Sequence, residues 1–83
     1  MNIFTMYCLN VDTLLNTFDV LAYNKGGVKV LATDPKRLYN DAQNEDVSMA
    51  SITFECTGSA EEVRTFFNRD DVFVCVEDPS DWA

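Results

Sequence analysis

Residues 50–77, ASITFECTGSAEEVRTFFNRDDVFVCVE, decide the fold, because a strand, a capped helix and a second strand follow one another there with only short joints. Ile52, Phe54 and Cys56 alternate with Ser51, Thr53 and Glu55, the period of two that buries one face of a strand over 50–57. Ser59 with Glu61 and Glu62 reads as a capping box: the Ser59 hydroxyl accepts from the amide three residues on while Glu62 reaches back. Val63, Phe66 and Phe67 then form the apolar stripe of a helix over 60–69. Arg64 and Arg69 suit its exposed face and its negative C-terminal end. VFVCVE, 72–77, is a final strand.

Working back from that unit, NIFTMYCL at 2–9 is rich in β-formers and stops at Asn10, a good N-cap. From Val11 the apolar residues Leu14, Leu15, Phe18 and Leu21 or Ala22 recur at helical spacing, which predicts a helix over 11–22. Gly26 and Gly27 end it, and VKVLAT, 28–33, alternates as a strand. A rival reading makes DVLAY, NKGG and VKVLAT a β-hairpin and shortens the helix to 11–18. The continuous stripe from Val11 favours the longer helix. Asp34 before Pro35 predicts a short helix over 35–43, and the acidic stretch NEDVS, 44–48, a surface excursion.

The order is strand, helix, strand, short helix, strand, helix, strand within one 83-residue domain, followed by an acidic tail at 78–83. Two strand-helix-strand units folded onto one sheet give an α+β, ferredoxin-like βαββαβ arrangement. It is a four-stranded antiparallel sheet with helices on one face and a short extra helix between strands 2 and 3. The first and third strands are then central, the other face is open, and Cys8, Cys56 and Cys75 fall on neighbouring strands.

Few reactive arrangements are on offer. There is no histidine to act as a base near neutral pH, so the hydrolytic triads that depend on one are excluded. Three dispersed cysteines lack the close C-x-x-C spacing of a thiolate metal site, and an acidic surrounding opposes thiolate formation. Asp41 to Asp46 has neither the rhythm nor the glycine of a calcium loop, and Gly26, Gly27 and Gly58 match no nucleotide-binding pattern. The carboxylate pairs lie at expected turns and helix starts, where water screens them. The expectation is a protein without catalytic residues, cofactor or metal. No stretch is long and apolar enough for a membrane helix, and MNIFTMYCLN lacks the pattern of a secretion signal, so the expected location is cytoplasmic.

Charge carries the functional reading. Fourteen acidic residues against six basic ones leave a formal charge of −8 and a pI near 4.1. Such a chain repels phosphate, and its expected partner is a basic protein, one that binds nucleic acid or belongs to a nuclease complex, rather than nucleic acid or membrane directly. Aromatic residues beside carboxylates mark the expected contact: Tyr39, Asp41, Glu45, Asp46, Glu77, Asp78, Asp81 and Trp82. In size, acidity and lack of histidine the chain resembles small phage-type inhibitors of the anti-CRISPR and DNA-mimic class. That resemblance, one of overall character, implies a non-enzymatic inhibitor occupying a groove that otherwise holds DNA or RNA. The alternative is a ferredoxin-like regulatory or assembly module acting through homodimerisation or contacts on its open sheet face, where Tyr7 or Phe73 could anchor a partner.

Overall fold

A computed structural model describes residues 2–40, 46–66, 71–78 and 80. The elements run β1 (Asn2–Cys8), α1 (Val11–Lys25), β2 (Lys29–Asn40), β3 (Asp46–Cys56), α2 (Ala60–Phe66) and β4 (Val72–Glu77). The strands form one antiparallel sheet in the order β2-β3-β1-β4, with β1 and β3 inside and β2 and β4 at its edges. The molecule is thus α+β.

Each local signal has a physical counterpart. The Asn10 side chain accepts from the Thr13 amide at 3.1 Å, capping α1. Gly26 and Gly27 then adopt φ of 64° and 62°, a region costly for any residue with a Cβ, and the Gly26 amide closes on the Ala22 carbonyl. The helix runs to Lys25, so the rival hairpin over 19–33 does not form. Its stripe, Leu14, Phe18 and Leu21, lies on the sheet with Val63 of α2. There it meets Phe4, Met6 and Cys8 of β1, Ala50, Ile52, Phe54 and Cys56 of β3, and Val72 of β4. Phe54 is the hub: its ring lies 5.8 Å from that of Phe4 and 5.3 Å, edge-on, from that of Phe18. Burying a side chain of this size contributes roughly 1.5–3 kcal/mol.

Two expectations are corrected. The short helix over 35–43 is absent from the described part of that range, where β2 continues to Asn40, and the excursion over 44–48 becomes strand from Asp46. Arg37, Leu38, Tyr39 and Asn40 pair with Met49, Ser48, Val47 and Asp46, and these ladder bonds outweigh the weak helical spacing of Leu38 and Ala42. Asp34 does accept a backbone hydrogen bond, as a cap would, but from the Lys36 amide at 2.8 Å. The aspartate therefore supports a local turn within a strand. Register shifts lie between Val30 and Ala32 and between Asp34 and Arg37, and Pro35, which has no amide to donate, sits in the second of them on an edge strand. Glu62 also differs from the expected box. Its amide does donate to the Ser59 hydroxyl at 3.2 Å, but its carboxylate pairs with Lys25 of α1.

Candidate interaction surface

The side of the sheet away from the helices is organised by rows running across the strands. Ala32, Thr53, Thr5 and Cys75 lie side by side in one row of small residues. Longer side chains flank it: Lys29, Glu55, Ile3 and Glu77 on one side, with Tyr7 and Phe73 in the row on the other. Thr5 and Thr53 are buried, and among the described residues no helix lies on that side. Their hydroxyls are 2.8 Å apart, and the Thr5 hydroxyl donates to the Glu77 carboxylate at 2.5 Å. A threonine has one hydroxyl proton, so Thr53 donates to Thr5 and Thr5 to Glu77. The carboxylate is held by a relay that starts two strands away.

One end of the sheet gathers acids. The row Lys29, Glu55, Ile3 and Glu77 lies there, Asp78 follows β4, and the turn after β3 is tied to the same end by the Asn2 side-chain amide donating to the Gly58 carbonyl at 2.9 Å. That turn opens α2, whose first turn carries Glu61 and Glu62. Lys25 offsets part of this charge by pairing with Glu62 while its ammonium lies 5.7 Å from the centre of the Phe66 ring. Asp78 accepts from both the amide and the hydroxyl of Ser80, at 3.0 and 2.9 Å, and these bonds, the amide first, hold its pKa below the ordinary aspartate value.

The expected contact residues do not lie together. Glu77 and Asp78 belong to the acidic end, whereas Tyr39 and Asp46 lie where β2 and β3 run on past β1 at the opposite end. Glu55, in the Glu77 row, is nine positions along β3 from Asp46, about 30 Å at strand rise. Asp41, Glu45, Asp81 and Trp82 lie outside the described residues, as do the side chains of Tyr39 and Asp46. Sequence reasoning missed Glu55, Glu61 and Glu62 as members of the acidic end, since only strand register and the return of α2 bring them there. Tyr7 and Phe73 do lie on the face away from the helices; Tyr7 is buried and Phe73 is 38% exposed.

A second feature is a cleft of about 250 Å³ between the first turns of α1 and the displaced part of β2, floored by Ala50 and Ile52. Among the described residues no three cysteine or carboxylate side chains gather closely enough to hold a metal ion, and no helix is long and apolar enough to cross a membrane. The chain matches no protein-family model, and no curated protein is significantly similar to it.

Proposed function

We propose that this chain is a ferredoxin-like domain acting in the cytoplasm as a non-enzymatic, acidic inhibitor that occupies a basic nucleic-acid-binding surface of a partner protein. The observation that carries the reading is the formal charge of −8 together with the gathering of Glu55, Glu61, Glu62, Glu77 and Asp78 at one end of a rigid sheet. Carboxylates held on strands and a capped helix meet a partner's lysines and arginines with little further ordering, as phosphates on a duplex would. The strand order, with β1 and β3 inside, supports the ferredoxin-like description.

The test is competition. Proteins retained on the immobilised chain at low salt are challenged with duplex DNA and with RNA, and the retained set is compared with that of a Glu61→Lys, Glu77→Lys, Asp78→Lys variant. The expected result is a nucleic-acid-binding protein released by nucleic acid and by moderate salt, and lost with the variant. Retention indifferent to salt, to nucleic acid and to charge reversal overturns the reading. Phe73 and Val76, 38% and 56% exposed on edge strand β4, favour the second reading, an assembly module that self-associates. A salt-tolerant doubled mass in solution would support it.

A further inference from the structure

We infer that two copies of this chain pair through edge strand β2, antiparallel about a two-fold axis at Ala32, with Lys29 of each copy opposite Asp34 of the other. The inference goes beyond the inhibitor reading: it gives the chain a second surface and leaves the acidic end free. The register of β2 carries it. Lys29, Ala32 and Asp34 lie level with Glu55, Thr53 and Ser51 of β3, so on the face away from the helices they stand at even steps with Ala32 in the middle. Val30 and Thr33, level with Phe54 and Ile52, stand one step to either side of the same centre on the helix face. Turning such a strand against itself sets lysine opposite aspartate twice and valine opposite threonine twice, cross-strand pairs that stabilise a sheet. Leu31, the surplus residue of the first register shift, falls at the centre and divides the new ladder into two short runs.

Charge and exposure select a second copy for this edge. Residues 25–37 hold four of the chain's six lysines and arginines and a single carboxylate, Asp34, so β2 is the edge at which another body of charge −8 is least repelled. At the opposite edge β4 follows Asp71 and ends in Glu77 and Asp78, and two copies meeting there bring like charges together. Among the described residues no strand lies outside β2. Lys29, Thr33 and Asp34 are exposed, and Val30 is 47% exposed although Phe54 beside it is fully buried, because α1 packs on β1 and β3 rather than on this edge. Lysine and proline on an edge strand usually prevent such pairing. Here the lysine meets a carboxylate, and Pro35 stands just past the paired stretch, where it stops the ladder instead of interrupting it. A contact of six residues from each copy is small, so the association is weak and reversible.

The test is sedimentation equilibrium of the full chain at concentrations up to about 1 mM in about 0.15 M salt. A monomer–dimer equilibrium is expected. Lys29→Glu and Asp34→Lys should each weaken it about tenfold, the second although it lowers the net charge, and the two together should restore it, because the pair is then rebuilt with its signs exchanged. Asp34→Asn keeps an acceptor for the Lys36 amide, and so the turn, and should weaken it about threefold. Amide spectra of each variant establish that it is folded. A monomer at every concentration, a dimer indifferent to these reversals, or a dimer lost instead with Val76→Lys on β4 overturns the β2 interface. The inhibitor reading is decided separately by the competition experiment and stands or falls without it.

Discussion

Strand β1 turns Phe4, Met6 and Cys8 toward the helices and Ile3, Thr5 and Tyr7 away from them, and all six are buried, for different reasons. On the covered side burial comes from two helices laid over an apolar surface, a non-directional attraction that tolerates any side chain of suitable volume. On the other side no helix lies among the described residues, and the buried Thr5 shares its hydroxyl with Thr53 and Glu77. The covered face supplies stability. The open face supplies a fixed arrangement of polar groups, and a carboxylate fixed there is more useful for recognition than for folding. The difference shows why this small chain devotes one side of its central strands to hydroxyls: hydrogen bonds specify geometry where area burial would only add adhesion.

The sharpest way to break the contrast is Phe54→Ala. Removing the ring that meets both Phe4 and Phe18 leaves a cavity and should cost about 3–5 kcal/mol, enough to unfold much of a domain this size at 25 °C, read by urea denaturation. Its counterpart on the other face, Thr5→Val, keeps the shape and deletes the relay. The expected loss is about 1–2 kcal/mol, because Thr53 and Glu77 lose a buried partner, and a double-mutant cycle with Thr53→Val should be strongly non-additive. Asn10→Ala, which uncaps the helix that makes the covered face, should cost about 1 kcal/mol by thermal melting.

Smaller effects sharpen the picture at the acidic end. Lys25→Gln removes the pairing with Glu62 and the contact with Phe66. The loss should be about 0.5–1 kcal/mol at low salt and less at high salt, since Glu62 is largely exposed. The smallest is a titration. The folded pKa of Asp78 lies below its unfolded value, so its stabilising contribution is complete above the ordinary aspartate range and is lost as pH falls through the lowered value. A Ser80→Ala variant should return the pKa of Asp78 toward the ordinary value, followed by carboxyl-carbon NMR.

Features set by neighbours in sequence were legible. The stripe of α1, its Asn10 cap, its Gly26 stop, the alternation around Phe54 and the bounds of β4 all depend on contacts within a few residues, and all were read correctly from spacing alone. The segment after Asp34 was misread for the same reason. Pro35 and the Asp34 turn look alike in a helix start and in a bulged strand, and what separates them is a partner strand more than ten residues away. The candidate surface suffered similarly: Glu77 and Asp78 were named, but Glu55, Glu61 and Glu62, gathered at the same end of the sheet, were not.

By itself the sequence determined the charge, the identity of each element outside residues 34–48, and the buried side of β3, because composition and periodicity are local properties, whereas the register shift between Val30 and Ala32 breaks the alternation expected of β2. Tertiary structure alone decided the pairing of β2 with β3 out to Asn40, the relay from Thr53 through Thr5 to Glu77, the gathering of acids at one end and the cleft beside Asp34. All but the Asn40 end of the β2–β3 pairing join residues distant along the chain. Register, which places one strand's residues against another's, is chosen by the summed burial and hydrogen bonding of the whole sheet rather than by any short stretch of it.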